Sequence, residues 1–264
     1  MYATLITAAV LWGAATGLLV PRAAYRLSVE PSRPWRDGCP DGHPFTGPAR
    51  GWLGGARCPE CRVRVGARPA QTGAGTEPGP RVAKGAGAGA VPAVTALVCA
   101  ALAAATGARP ELAVCLLLTP FAVLLALVDR RVHRPPDRLT LPLAAPAAGL
   151  LGPAALLPGA AGSWPGALLG GAALGAVYFA LFLIHPDGMG FGDVKLALSL
   201  GVVLGWYGWS VLFAGAFAGF LFGSVYGLGL MLLGRAGRGT AIPFGPFMIA
   251  GALAGVLAGG LAAG

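Results

Sequence analysis

The sequence predicts an all-α polytopic membrane protein, and three properties support this fold class. Apolar residues make up 56% of the 264-residue chain, whereas charged residues make up only 11%. The mean hydropathy is +0.71. Apolar runs of about 20 residues, the length of a bilayer-spanning helix, recur along the chain. A chain of this composition cannot fold around one water-soluble core.

Eight apolar segments are predicted to form about eight transmembrane helices. They are 2–19, 90–106, 112–128, 141–157, 164–184, 194–206, 209–233 and 243–263. The first segment lacks a basic leading region and a basic stretch follows it, so we expect a retained helix and not a cleaved signal peptide. The sixth segment is short and interrupted by glycine.

The segments divide the chain into four parts. Residues 1–20 form the first transmembrane helix, and residues 21–68 form a small cytoplasmic insert that contains cysteines. Residues 69–89 are rich in Gly, Ala, Pro and Thr without hydrophobic periodicity, which predicts a flexible linker. Residues 90–264 form a seven-helix membrane domain.

The distribution of cations predicts the orientation. If the N-terminus lies outside, 18 of the 19 Lys and Arg residues fall in cytoplasmic loops and only Arg109 lies outside. This asymmetry follows the positive-inside rule, which explains the net charge of +9 without nucleic acid as a partner. The expected partner of the apolar surface is membrane lipid.

Two aspartates lie at the predicted cytoplasmic ends of helices. Asp193 follows alternating glycines in the segment 188–196 (GMGFGDVKL), and Asp129 closes the third apolar run. An acidic side chain at a membrane helix is costly and therefore indicates a functional site. Two carboxylates at one depth can share a proton, so that one activates water and the other protonates a carbonyl oxygen. Such proteolysis needs no cofactor.

Each aspartate has a structural alternative. Asp193 could cap the sixth helix, although Gly188, Gly190 and Gly192 allow unusual backbone angles and the close approach of a second chain. Asp137 competes with Asp129, but it follows a proline just before the fourth helix, which favours an N-cap.

The two aspartate segments resemble the type IV prepilin peptidases, the Gly-x-Gly-Asp intramembrane aspartic proteases of peptidase family A24. The similarity runs from the Gly-x-Gly-Asp core to Gly201, Gly205 and Trp206. It also covers the loop 129–143 and the closing Pro-Phe-Gly-Pro at 243–246.

The resemblance implies catalysis by Asp129 and Asp193, with Gly190, Gly192 and Lys195 in the active-site motif. It implies cleavage of leader peptides from type IV prepilins or pseudopilins at the cytoplasmic face of the bacterial inner membrane. On residue chemistry alone the Pro-Phe-Gly-Pro segment is interpreted as an ordinary helix entry, and Lys195 as a headgroup anchor or an electrostatic neighbour of the aspartates.

The insert contains a candidate structural zinc site. Cys58 and Cys61 form a Cys-x-x-Cys knuckle, and Cys39 with His43 could complete a tetrahedral set. A redox pair or unliganded thiols are the alternatives, whereas a structural disulfide is not expected in the cytoplasm. The resembling peptidases often carry two Cys-x-x-Cys pairs in this insert, and here Gly42 replaces one of the cysteines.

Many members of the resembling family also methylate the new pilin N-terminus with S-adenosylmethionine. The usual Arg-Tyr-Pro and Glu sequence before the second helix is absent here. The sequence therefore leaves methylation open.

Three other functions compete with proteolysis. A non-enzymatic transporter or proton or cation channel would place its acids near helix centres. A presenilin-like protease would carry Tyr-Asp on the partner helix, whereas Val128 precedes Asp129 here. A degenerate assembly scaffold would not need both acids.

Overall fold

The computed structural model describes residues 2–29, 34–39, 42–52, 86–132, 137–186, 189–235, 237 and 242–263, with the side chains at 48, 86–88 and 137–142 left out. Nine helices occur in these ranges. They are α1 (Tyr2–Gly17), α2 (Val20–Leu27), α3 (Ala86–Thr106), α4 (Pro110–Val132), α5 (Asp137–Ala155), α6 (Trp164–Ile184), α7 (Phe191–Trp206), α8 (Trp209–Leu232) and α9 (Gly245–Ala262). A left-handed turn occupies Pro48–Gly51, and an isolated bridge between Gly38 and Pro44 is the β structure found in these ranges.

The predicted all-helical fold is confirmed, but six described segments, rather than eight, are long and apolar enough to cross a membrane. They are Tyr2–Leu27, Gly89–Thr106, Pro110–Val132, Trp164–Ile184, Trp209–Leu232 and Gly245–Ala262. The other two predicted segments are also helical. Helix α7 has only 16 residues, and the apolar part of α5, Leu143–Ala155, is likewise short.

The start of the predicted insert is helical. Helix α2 begins only three residues after α1 ends, and Pro21 stands in its first turn, where a proline leaves no helix hydrogen bond unmade. Its Arg22 and Arg26 side chains, which the sequence placed in a soluble insert, are 6% and 5% exposed. The Arg26 guanidinium stacks 4.1 Å from the Trp52 ring centroid and pairs with Asp37 at 2.9 Å, so the described part of the insert packs onto α2.

The centre of the bundle is formed by α7 and α9. Ten of the 16 residues of α7 are buried, against α5, α6, α8 and α9. Helix α9 packs against α3, α4, α7 and α8, whereas the described parts of α4 and α7 do not pack directly on each other. Helices α5 and α9 therefore separate the two helices that carry Asp129 and Asp193.

Close packing of α6 on α7 depends on glycine. Gly166 and Gly170 on α6 face Gly201 and Gly205 on α7, each pair spaced four residues apart and therefore on one helix face. A Cβ atom at Gly201 would lie 2.5 Å from the Gly170 carbonyl oxygen, so only hydrogen fits there. Such Gly-x-x-x-Gly contacts replace the hydrophobic effect as the source of helix association in lipid.

We expect Gly201→Ala to lower the melting temperature of the detergent-solubilised protein, because the added methyl group must push α6 away from α7. Gly149→Ala is the matched control, since no atom lies within 4 Å of a Cβ there. The control should be neutral or stabilising by about 1 kcal/mol, the difference in helix propensity between Gly and Ala. Equal melting temperatures of the two variants would contradict the close packing.

Candidate active site

Asp129 is held by the first residue of a helix distant in sequence. The side chain lies near the end of α4 and is only 4% exposed. The backbone N–H of Gly245, at the start of α9, donates a hydrogen bond of 3.0 Å to its Oδ2 atom. A Cβ atom at position 245 would lie 2.7 Å from the same oxygen, so this approach requires glycine.

Asp193 lies in the first turn of α7 and is 9% exposed. Its Oδ2 atom accepts a 3.2 Å hydrogen bond from the backbone N–H of Gly190, which is the N-cap residue. The helix thus begins at Phe191, earlier than the predicted 194. Asp193 does cap the helix, but from the third helical position, and the capping uses only one of its two carboxylate oxygens.

The two carboxylates act on each other. The pKa of Asp193, which lies outside the six spanning segments, is raised from 3.8 to about 6. Burial is the largest cause and the negative charge of Asp129 adds to it, whereas the hydrogen bond from Gly190 acts in the opposite direction. Because like charges at one site resist simultaneous ionisation, the pair can hold one proton between them. The pair can therefore supply one acid and one base.

A cavity of about 230 Å³ opens beside Asp193. It is lined by Asp193 and four apolar side chains, Met189, Phe220, Ile242 and Phe244. Phe220 and Phe244 pack with a ring centroid separation of 5.1 Å, and Tyr178 stacks on Phe220 at 5.6 Å. The Asp193 carboxyl group thus borders a small pocket with four apolar side chains in its lining.

Several residues of this site were not singled out from the sequence. Tyr178 and Phe220 look like ordinary apolar positions of spanning helices. The segment around Gly245, interpreted as a plain helix entry, contacts Asp129 directly. The sequence signal for Gly245 was its place in the Pro-Phe-Gly-Pro motif, whereas no local signal marks Tyr178 or Phe220.

The other residues of the Gly-x-Gly-Asp motif have ordinary geometry. Gly190 has φ −75° and ψ 144°, an extended conformation that any residue can adopt, so the backbone conformation at this position does not require glycine. Gly188 lies outside the described residues. The Lys195 ammonium lies 4.8 Å from the centroid of the Phe191 ring, one helical turn earlier.

Asp137 is the first residue of α5, and its side chain lies outside the described residues. Its expected role as a helix cap remains a prediction.

Two of the four predicted zinc ligands, Cys39 and His43, lie within the described residues. The Cys39 Sγ and His43 Nδ1 atoms are 3.5 Å apart, across a turn closed by hydrogen bonds between Cys39, Gly42 and His43. Two ligands on one tetrahedral zinc ion are separated by roughly 3.6 Å. This half of the site therefore fits the metal. Cys58 and Cys61 lie outside the described residues, within which no group of three or more potential metal ligands occurs.

The part of the chain that carries this site matches a known protein family. The type IV leader peptidase family matches residues 116–262, a range that contains both aspartates and Gly245. The prepilin leader peptidase/N-methyltransferase of Aeromonas salmonicida (strain A449) is 38% identical over 143 residues, covering 53% of this chain and 47% of that protein.

For two further relatives, the aligned region covers a larger share of the relative's length. Leader peptidase HopD of Escherichia coli is 35% identical over 134 residues, 49% of this chain and 82% of the relative. The prepilin leader peptidase/N-methyltransferase of Bacillus subtilis (strain 168) is 33% identical over 170 residues, with 63% and 64% covered. The chain spans only about half the length of the Aeromonas salmonicida relative. No solved structure matches the chain.

The raised pKa of Asp193 predicts how stability depends on pH. The folded state binds this proton more tightly than the unfolded state, so its stabilising effect is complete below about pH 4 and is lost as the pH rises through 6. The loss is at most roughly 3 kcal/mol. We expect the melting temperature of the Asp193→Asn variant to fall less than that of the unsubstituted protein between pH 4 and 7. Parallel curves from thermal unfolding in detergent would contradict the buried, paired carboxyl group.

Proposed function

Because the chain belongs to the type IV leader peptidase family, we propose that it is a membrane aspartic endopeptidase that cleaves the leaders of type IV prepilins or pseudopilins. The observation that carries the proposal is the pair of buried carboxylates, Asp129 and Asp193, which act on each other electrostatically at one end of the bundle. Relatives named prepilin leader peptidase support the substrate class.

In the proposed reaction the pair carries one proton, held by Asp193. Asp129, which accepts the Gly245 N–H, acts as the base, because the raised pKa of Asp193 keeps the shared proton on Asp193. A water molecule attacks the scissile carbonyl carbon, giving a proton to Asp129, while Asp193 protonates the carbonyl oxygen. The carbon–nitrogen bond then breaks: the leaving nitrogen takes the proton from Asp129, and one hydroxyl group of the tetrahedral intermediate returns its proton to Asp193, which restores the starting state of the pair.

The substrate is proposed to reach the pair from the membrane. A pilin precursor has an apolar helix behind its leader, and an extended segment at that junction would lie beside Asp193. The apolar cavity with Phe220 and Phe244 would receive a side chain next to the cleaved bond. Gly190 and Gly192 would let the substrate backbone approach closely.

The proposed location is the bacterial inner membrane, with the N-terminus outside and both aspartates at the cytoplasmic face. The charge distribution supports this orientation, because an outside N-terminus places 18 of the 19 Lys and Arg residues in the cytoplasm. The placement of both acids at helix ends argues against a transporter or channel, in which acids line the centre of the membrane.

A structural zinc ion is proposed for the insert. Cys39 and His43 would supply two ligands, and Cys58 and Cys61 the other two. The ion would stabilise the fold of the insert and takes no part in proteolysis. The redox-pair alternative would bring no ion.

Methylation of the new N-terminus is a second reaction contained in the names of several relatives. The family match begins at residue 116, after the insert. We therefore restrict the proposed function to proteolysis and assign no residue to S-adenosylmethionine.

Cleavage should require both aspartates. Asp129→Asn and Asp193→Asn should each abolish cleavage of a co-expressed prepilin, because each removes one partner of the proton-sharing pair. Asp137→Asn is the matched control and should retain cleavage, because an asparagine caps a helix as well as an aspartate does. Cleavage is measured by the mobility of the pilin on immunoblots, and membrane insertion by fractionation. Normal cleavage by either of the first two variants, or its loss in the third, would refute this assignment.

Gly245→Ala should reduce cleavage at least tenfold, about 1.4 kcal/mol of transition-state stabilisation. The new methyl group would displace the Asp129 carboxylate, whose Oδ2 atom lies 2.7 Å from the Cβ position. Gly229→Ala in α8 is the control, since no atom lies within 4 Å of its Cβ position. Initial rates of both purified variants on one prepilin give the measurement. Equal rates would show that Gly245 does not position Asp129.

The zinc proposal predicts one ion per purified chain by elemental mass spectrometry. The Cys58→Ser/Cys61→Ser double variant should lose the ion, whereas Cys99→Ser should keep it, because Cys99 is buried within α3. A chain that carries no zinc after purification without chelators would favour the redox-pair alternative.

A further inference from the structure

Arg26 of α2 contacts the insert at three points. Its Nη1 atom donates a 3.1 Å hydrogen bond to the Arg50 carbonyl oxygen, and its Nη2 atom donates one of 2.9 Å to Asp37 Oδ1. The centre of the guanidinium lies 4.1 Å from the centroid of the Trp52 ring. One planar side chain thus joins two separate parts of the insert, near residue 37 and at residues 50–52, to α2.

The contacts of Arg26 with Arg50 and Trp52 matter more than its ion pair. The Asp37 side chain is 89% exposed, and an ion pair that is open to water contributes little to stability. A guanidinium can stack on a ring while it donates hydrogen bonds in its own plane, which the ammonium group of lysine cannot do. The geometry therefore requires arginine, and not merely a positive charge, at position 26.

The backbone that accepts the Arg26 hydrogen bond is strained. Ala49 and Arg50 have φ 52° and 55°, in the left-handed region that residues with a side chain rarely adopt. Gly51 follows with φ 75°, and a Cβ atom there would collide with the Phe45 carbonyl oxygen. Such a conformation persists only where the surrounding contacts hold it. Arg26 supplies one of these contacts, because it binds the carbonyl group of Arg50.

The apolar face of α2 packs against the part of α4 that carries Asp129. The two helices share a buried cluster, whose members are Val20, Ala24 and Leu27 of α2 and Leu124 and Val128 of α4. Trp52 packs against this cluster while its ring stacks on Arg26. Val128 is 1% exposed and directly precedes Asp129. Packing is therefore continuous from the insert through α2 to the Asp129 end of α4.

We infer that Arg26 is a positioning residue, which holds the insert on α2 and thereby fixes the end of α4 from which the Asp129 side chain extends. This inference rests on the proposed function, in which Asp129 and Asp193 share a proton. The Gly245 N–H holds one carboxylate oxygen of Asp129, and the packing of α2 holds the helix backbone behind it. Without Arg26, Trp52 leaves the cluster, and the last turn of α4 moves together with Asp129.

Hydrogen exchange of the purified full chain tests this role without any assay of proteolysis. Arg26→Gln should raise amide exchange rates about tenfold, both in peptides from residues 36–52 and in peptides from residues 126–132. Peptides from α6 and α7 should keep their rates, because the bundle remains folded. Arg235→Gln is the matched control, since Arg235 is exposed just after α8 and should change none of these rates. Faster exchange confined to residues 36–52 would overturn the inference.

Arg26→Lys decides the question if Arg26→Gln speeds exchange in every peptide. Lysine keeps the charge but loses the stack on Trp52 and one of the two hydrogen bonds. Both regions should therefore again exchange faster than in the unsubstituted protein, with α6 and α7 unchanged. Rates equal to those of the unsubstituted protein would show that a positive charge is sufficient, and would overturn the inference.

The pH dependence of cleavage separates positioning from a loss of folded protein. The negative charge of Asp129 is one cause of the raised pKa of Asp193, so a displaced Asp129 lowers that pKa. The proposed reaction needs the protonated form of Asp193, and its rate therefore falls as the pH rises through this pKa. In Arg26→Gln, kcat should be about tenfold lower, and the fall of kcat/KM on one prepilin should begin at lower pH. Partial unfolding would instead lower the rate equally at every pH.

The two measurements separate this inference from the proposed function. An unchanged pH profile of Arg26→Gln, with an unsubstituted chain that does cleave, would overturn the inference and leave the proposed function standing. An unsubstituted chain that cleaves no prepilin would refute the proposed function. The exchange rates of residues 126–132 would then decide whether Arg26 fixes the end of α4.

Discussion

The hydrogen bond from the Gly245 N–H to the Asp129 carboxylate is the contact on which the candidate site depends. The helices that carry the two aspartates do not pack on each other in their described parts, and α9 contacts both. The start of α9 can reach Asp129 only because residue 245 has no side chain. One backbone amide therefore determines both where a buried carboxylate points and how three helices converge.

Two kinds of contact hold this arrangement against the cost of burying charged groups in a membrane protein. Glycine pairs bring α6 and α7 into backbone contact, which gives α7 a rigid support. Asp193 lies in the first turn of this supported helix. Polar ties then act at both ends of the bundle, through Gly190 and Gly245 at one end and through Glu111 at the other. The cost of burying each carboxylate is partly offset by a backbone N–H, and the proposed sharing of one proton would avoid a second buried charge.

The sequence predicted the features that local patterns determine. Apolar runs gave the helices, and the Gly-x-Gly-Asp string and the acid at 129 gave the candidate pair, because an acid at a membrane helix stands out from its surroundings. Packing partners distant in sequence could not be predicted. The contact of Gly245 with Asp129 spans 116 residues, and the Arg22 and Arg26 side chains looked like loop cations until α2 buried them. All eight predicted segments are helical, and α7 and the described apolar part of α5 fall short of the length expected for a full span because the sequence does not show how far a helix is shortened at its ends.

The most direct test of the central claim is the mass of the products when the purified chain acts on one prepilin in lipid vesicles without other proteins. The paired aspartates should cut the precursor once, before its apolar helix, so that leader and mature pilin together exceed the precursor by one water. An added methyl group on the mature N-terminus, formed only with S-adenosylmethionine, would reveal the second reaction of several relatives. An intact precursor, with the chain folded and the vesicles sealed, would contradict the account.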